Sequence, residues 1–300
     1  MSPLRRRAPV ARALAPCLSG AARVLALSLS GAALAGCEAA PVPPAEPGAP
    51  ELRVPEAPTA SVPSAPWSAE LPVASVELAP GTRVWAAVPT LGSELVSVGI
   101  YTLESIDAER ASLIDKLGTR TLGVAPALVH PIGSASGLEA GDTALFFTWT
   151  TPAALGRVTR KAGGSLRVRY DWAGETKDTT ADHAEPARKG VVPFAYVTFP
   201  KFGRQSLGLV VALDPRHVWV RTSSGHVERH PREAVAAVEV ATAALKVGAK
   251  VRAYDWVDGL REAVVSEVVE PGLRYAVRAE GSPEDERYFF TALVPRAAAR

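Results

Sequence analysis

The chain has 300 residues, 47% of them hydrophobic, and a formal net charge of +2 from 33 Lys+Arg against 31 Asp+Glu. Two cysteines in that length, one of them inside a removable N-terminal segment, leave neither a disulfide framework nor a thiolate metal centre for the rest of the chain. The pI of about 8.6 would point to a polyanion partner, but the basic excess is confined to the first residues, so nucleic acid is not an expected partner.

Arg5, Arg6, Arg7 and Arg12 form a cationic opening, and Val24-Leu25-Ala26-Leu27-Ser28-Leu29 starts an apolar run that ends at Ala35. Its length fits the ~7–15 residues of a secretory signal core better than the ~18 or more of a spanning helix. Leu34-Ala35-Gly36-Cys37 follows. These four residues resemble the lipobox of bacterial lipoproteins. The resemblance implies cleavage before Cys37, a lipid on its thiol, and a place in the bacterial cell envelope, anchored to the inner or the outer membrane. Cys17 fits less well because Pro16 precedes it, and an ordinary Ala-x-Ala signal site with Cys37 incidental is the alternative reading. Loss of residues 1–36 removes five arginines and no acid, leaving 28 Lys+Arg against 31 Asp+Glu and a net charge of −3.

Residues 37–72 are Pro, Ala, Glu and Ser with few large apolar side chains. Prolines such as Pro41, Pro43, Pro44, Pro47 and Pro50 bar helix interiors and central strands. So little apolar surface cannot offset the entropy of ordering, which predicts a disordered, polyproline-biased tether reaching on the order of 100 Å. Trp67, the one aromatic in it, is expected to be exposed.

From Val73 the chain becomes a series of short, alternating, β-rich runs with an internal repeat. With Gly81, Gly141, Gly190 and Gly248 as origins, each unit opens on a strand, and Leu95, Leu155, Leu207 and Glu262 fall at one later station. Val98, Val158, Val210 and Val265 fall at the next, with a longer loop allowed in the third unit. A third strand recurs as Leu166–Tyr170, Val218–Val220 and Leu273–Val277, preceded by Gly163-Gly164, Asp214-Pro215 and Pro271-Gly272. The pattern predicts an all-β chain of four units, at 76–132, 137–188, 189–240 and 244–297, each with five short strands. The four valines are expected on second strands, facing inward. The first unit fits worst, and its segment Ser105–Leu117 reads either as strand-turn-strand or as a short helix. Two larger barrels or sandwiches, each made of two units, are the alternative architecture.

Gly-x-x-Val-x-Ala, an aromatic in the following loop and then a Val-rich strand resemble Tudor- or Agenet-type domains of the Src-homology-3-like class. The resemblance is clearest in Gly248–Pro295 and weakest in the first unit. It implies four tandem Tudor-like five-stranded β-barrels, noncatalytic binding or scaffolding, and a protein or cell-wall peptide as partner. It also implies an aromatic cage for a cationic amine at Tyr254, Trp256, Tyr275 and Tyr288, with Asp255 and Asp258 adding negative charge, or its counterpart at Phe146, Trp149, Tyr170 and Trp172. Packing of these rings in core and rim is the simpler alternative.

Enzyme signatures are sparse: the sequence has no Gly-x-Ser-x-Gly elbow, no phosphate-cradling loop followed by Lys-Ser/Thr, and no His-Glu-x-x-His. His217, His226 and His230 lie near one another in sequence, but Pro231 disfavours a helix there, so they read as surface residues of a hairpin and no metal is expected. Arg157, Arg160, Lys161, Arg167 and Arg169 form a basic cluster whose alternating members Arg167 and Arg169 read as a solvent face. No cofactor and no catalytic residue is expected. The competing function is an envelope hydrolase or enzyme accessory subunit, which would show a cleft at a barrel junction with converging ionisable groups.

Overall fold

The structure is a computed structural model that describes residues 59–61, 66–73, 77–90, 94–135, 137–148, 153–162, 165–172, 175–238, 244–255 and 259–295. The signal segment and Cys37 lie outside the described residues, and so do Trp149, Trp256 and Asp258. Among the described residues no helix is long and apolar enough to cross a membrane.

Four β-sheets follow one another along the chain, and each is the same barrel. Barrel one has strands Arg83–Pro89, Val96–Ile106, Ala111–Ile114, Arg120–Val124 and Val129–Pro131. Barrel two has Thr143–Phe147, Ala154–Ala162, Ser165–Trp172, Glu175–Thr180 and His183–Pro186. Barrel three has Tyr196–Lys201, Arg204–Leu213, His217–Thr222, Val227–Pro231 and Ala236–Ala237. Barrel four has Lys250–Asp255, Gly259–Glu270, Arg274–Ala279, Glu286–Phe289 and Leu293–Pro295. In every barrel the first four strands meander and the fifth returns to pair with the first. A 3-10 turn precedes that return in barrels one, three and four, at Pro126–Leu128, Arg232–Ala234 and Phe290–Ala292. The chain is thus all-β, with four tandem Tudor-like barrels rather than two larger ones.

The repeat rests on one backbone device. A residue just before the first strand exchanges two hydrogen bonds with the second strand: Gly81 and Thr82 with Leu103, Gly141 and Asp142 with Val158, Phe194 and Ala195 with Val210, Gly248 and Ala249 with Val265. Directly after each of these four second-strand residues the ladder slips, between Leu103 and Ser105, Val158 and Arg160, Val210 and Ala212, and Val265 and Glu267. Such a bulge bends the long strand, so the sheet wraps around its own core. The same four residues face Leu113, Val168, Val220 and Val277 on the third strand, all of them fully buried.

This corrects the repeat register at two places. Val98, Val158, Val210 and Val265 are all buried on second strands. Barrel one's true equivalent, however, is Leu103, because its hairpin between strands one and two is longer. Val98 lies on the opposite face of that strand, against the neighbouring barrels. In barrel three the origin is Phe194, with φ 61°, and not Gly190. Phe194 occupies the left-handed conformation that Gly81, Gly141 and Gly248 adopt at φ 85°, 97° and 85°.

Core volume is balanced differently among the barrels. In barrels two and three Phe146 and Phe199 fill the interior and lie diagonally across from Gly156 and Gly208 on the next strand. A Cβ on Gly156 would meet Val168 Cγ1 at 2.4 Å and Phe146 at 3.1 Å; on Gly208 it would meet Val220 Cγ1 at 2.5 Å and Phe199 at 2.9 Å. In barrels one and four the ring is replaced by Ala86 or Ala253, and Tyr101 or Ala263 stands at the glycine's station.

Two further points concern the first barrel. Of the two readings of Ser105–Leu117, the structure has strand-turn-strand: Asp107 Oδ1 accepts hydrogen bonds from the Glu109 and Arg110 backbone amides, both 2.8 Å, and this Asx turn reverses the chain. The tether, expected to run free to Pro72, instead joins the fold in its last third. Thr59–Ser61 pairs in parallel with Arg120–Leu122, and Trp67 in the 3-10 turn Pro66–Glu70 packs on the core. Burying an indole offsets the cost of ordering a few residues.

The barrels join through their outer faces. Trp85, fully buried on barrel one, meets Phe147 and His183 of barrel two and Phe194 at the head of barrel three, with ring centroids 6.3, 5.9 and 5.7 Å away. Val96 and Gly225 share a backbone bond of 2.9 Å between barrels one and three. Arg157 of barrel two donates to the Gly272 carbonyl of barrel four at 2.9 Å and lies 4.5 Å over the Phe290 ring. Arg169 bonds Glu270 at 2.7 Å across the same junction. Barrels four and three meet where Gly259 passes so close to Gln205 that a Cβ would lie 2.5 Å from its carbonyl oxygen. Contacts therefore run one–two, two–four, four–three and three–one, and close a ring.

Candidate functional site

Where barrels two, three and four meet, the ring leaves a cleft of about 260 Å³. Its floor is the outer face of barrel three. Tyr196, Leu209 and Arg221 stand side by side on three adjacent strands, since Tyr196 pairs with Leu209 and Leu209 with Arg221. Alternation turns these residues outward while Val197, Val210 and Val220 turn into the barrel. Barrel two contributes Ala154, Leu155 and, at the exposed margin, Asp171. Barrel four contributes Tyr254, Thr291 and Ala292. The Tyr254 hydroxyl lies 3.4 Å from both Ser206 Oγ and Ser223 Oγ of barrel three.

The electrostatics of this cleft follow from one guanidinium. Arg221 Nε donates to the Val96 carbonyl at 2.8 Å. Among the described residues its two terminal nitrogens have no hydrogen-bond acceptor and no carboxylate pairs with it. Burial lowers its pKa and the neighbouring Tyr196 hydroxyl acts the other way. Burial also raises the Tyr196 pKa, against the pull of Arg221. Tyr196 is therefore a neutral hydroxyl suited to donating a hydrogen bond and unsuited to accepting a proton as a base.

A larger cleft of 540 Å³ lies between barrels two and three, lined by the linker Pro186–Gly190 with Leu138, Asp142 and Val238. Its chief cation is already spent. Arg188 donates to Glu185 at 2.6 Å and to the Pro193 and Pro131 carbonyls at 3.0 and 2.9 Å. Burial alone would raise the Glu185 carboxyl, but His183, Arg188 and the Gly133 amide outweigh it and hold it at about 2. The His183 ring, 3.9 Å from the carboxylate, is beyond normal hydrogen-bond reach, so Arg188 and the Gly133 amide are the firm contacts. This cluster fastens barrels one, two and three.

The residues singled out from sequence divide between two faces of barrel four. Tyr254 faces outward into the cleft and packs with Tyr196, Leu207, Val238 and Leu260. Asp255 ends the same strand, half-buried. Tyr275 is 0% exposed inside barrel four, its hydroxyl accepting the Leu245 amide at 3.1 Å. Tyr288 stands opposite Tyr275, donates to Glu286 at 2.7 Å, and is pushed up to about 12 by burial and then by Glu286. The three described rings thus do not line one open rim, because Tyr254 and Tyr275 occupy opposite faces of one sheet. In barrel two Phe146 and Tyr170 meet edge-on at 5.0 Å, with 0% and 6% exposure, as core packing.

The basic cluster also divides. Arg157 and Arg169 hold barrel two to barrel four, Lys161 pairs with Glu139 at 3.2 Å, and Arg160 and Arg167 are exposed. Arg169 is thus an interface residue and not part of a solvent face. His217, His226 and His230 lie beside Asp214, Glu94 and Glu228 respectively, and among the described residues no three His, Cys, Asp or Glu gather as a metal-binding group.

Sequence reasoning missed Tyr196, Leu209 and Arg221. One signal was available: Tyr196, Leu207, Leu209 and Trp219 all fall on barrel three's outward register, an apolar face too large to leave in water. An arginine in that row is placed against apolar surface by alternation alone.

No protein-family model matches the chain, and no curated protein matches it. Among solved structures, the four MBT repeats of Drosophila melanogaster Sfmbt in complex with the peptide RHR(me)KVLR align over 73% of this chain and 88% of that one, at 11% identity and a TM-score of 0.16. A score that low carries no argument, and the fold assignment stands on the strand order and register described above.

Proposed function

We propose that the chain is a noncatalytic binding and scaffolding module of the bacterial cell envelope, held to a membrane through a lipid on Cys37. Its ring of barrels takes a protein or cell-wall peptide in the junction cleft. The anchor rests on Leu34-Ala35-Gly36-Cys37 and the apolar run before it. The binding role rests on one observation: the cleft gathers two tyrosine hydroxyls, serine hydroxyls and an unpaired guanidinium over an apolar floor, the mix of donors and apolar walls that orients a ligand.

The same junction is where a hydrolase would carry its site, so that reading has an observation in its favour. Against it, the half-buried ionisable groups of the cleft floor are an arginine and a tyrosine whose pKa is raised, a pair suited to holding charge and not to taking up a proton. The test is crosslinked capture from envelope extracts by the full chain and by Ser223→Trp, which plugs the cleft from an exposed position. A peptide or protein retained by the native chain and at least tenfold depleted with Ser223→Trp is the expected result. Equal retention overturns the cleft as the site, and cleavage of the retained species over time favours the hydrolase. Mass spectrometry of the mature N terminus checks the anchor: an unmodified terminus at a residue other than Cys37 removes it.

A further inference from the structure

The chemistry of the cleft selects among ligands. A guanidinium has five N–H donors, and Arg221 spends one, at Nε, on the Val96 carbonyl. The remaining donors are on the two terminal nitrogens; Arg221 lines the cleft next to Leu209, one terminal nitrogen lies on the Gly225 side, and no carboxylate among the described residues pairs with it. A cation partly removed from water and left unpaired is costly, and an anion entering the cleft removes that cost. A cationic amine faces the opposite situation: Tyr196 and Tyr254 offer it rings, but Arg221 repels it from the same floor.

We propose that the junction cleft recognises a free carboxylate on a residue with a small apolar body, such as a peptide C terminus. Arg221 grips the carboxylate through its terminal nitrogens, and the Tyr196 hydroxyl adds a donor. Leu155, Leu207 and Leu209 wall the rest of the cleft, whose 260 Å³ admits about one residue. The apolar walls around the single guanidinium favour a monocarboxylate with an apolar body over a phosphate dianion, whose second charge would enter the cleft without a matching cation. This inference rests on the cleft being the binding site proposed above, and its test separates the two.

The experiment titrates the full chain, by calorimetry and NMR, with N-acetyl-Ala-Ala as the free acid, with its C-terminal amide, and with inorganic phosphate. The acid is expected to bind at least tenfold more tightly than the amide or phosphate, and Arg221→Gln is expected to abolish that preference. Should Arg221→Gln fail to fold, the Arg221 side-chain resonances of the native chain decide, because the acid must shift them and the amide must not. Equal binding of acid and amide overturns the carboxylate and leaves the cleft a peptide site. Tighter binding of phosphate overturns it in favour of a general anion site. No binding of any probe at about 10 mM, weaker than ~3 kcal/mol, overturns it outright, while the capture by Ser223→Trp still judges the cleft itself.

Discussion

Barrels one and four share a topology and differ in what surrounds them. In barrel four's first strand Val251 and Ala253 are fully buried while Lys250, Arg252 and Tyr254 keep solvent access, the alternation of a sheet with one wet face. In barrel one Val84, Trp85, Ala86, Ala87 and Val88 are all buried, because both faces of that strand are covered. Barrel four has its own core around Tyr275, Val277 and Phe290 and is joined to barrel two by arginines. Barrel one has no private core: its residues merge with Leu145, Leu209 and Trp219 of its neighbours. The same fold is therefore a nearly autonomous unit at one point of the ring and a shared hub at another.

The largest expected effect tests that autonomy. Val265→Asp places a charge in barrel four's small core at a position 1% exposed, costing more than ~5 kcal/mol. Hydrogen exchange should show barrel four unprotected while the amides of barrels one to three keep their protection. Loss of protection throughout would show that all four barrels fold as one unit. Trp85→Ala, at the hub, removes the contacts with Phe147, His183 and Phe194 and should cost ~3–5 kcal/mol, lowering the protection of barrels one, two and three together. Protection lost only within barrel one would make the hub a private core after all.

The smallest effect sharpens the contrast through pH. His130, between barrels one and three, bonds the Val211 carbonyl at 3.1 Å, and burial pushes its pKa down to about 4. That is below the ~6.5 of an unfolded histidine, so the unfolded chain binds more protons in this window. Stability is full above pH 6.5 and falls as pH drops toward 4, at up to ~1.4 kcal/mol per unit. Glu185, held at about 2, extends the loss below pH 4.5. Denaturant titrations at pH 7 and 5 should show barrels one to three weakening by ~1–2 kcal/mol, and His130→Gln should flatten the difference. An equal loss with His130→Gln assigns the acid sensitivity elsewhere.

The contrast also explains which parts of the fold could be read from sequence. Barrel four was clearest because alternation reports burial only where one face is wet. Barrel one was weakest because Trp85, Ala87, Val96, Val98 and Ile100 are apolar on the face that ought to be polar. Placing Val98 with Val158 mistook a residue buried by neighbours for one buried by its own barrel. Gly190 stood in for Phe194 because a phenylalanine at positive φ is rare, and only the packing of its ring on Trp85 and His130 accounts for it. Of the rings named from sequence, Tyr254 lines the junction cleft and Tyr275 lies in the core. Arg221 reaches the cleft because three barrels meet in space, which no local spacing records.

The order of the ring, one–two–four–three, has a consequence for how the chain is built. Synthesis delivers barrels one, two and three before four, and these three share the apolar hub, so the hub can form while barrel four is still absent. Barrel four then enters between two barrels already placed, and it seals the gap with Arg157, Arg169 and the close passage of Gly259. The junction cleft has walls from barrels two, three and four, so it exists only after that last insertion. A partially synthesised chain can therefore be folded at its hub and still lack the junction cleft.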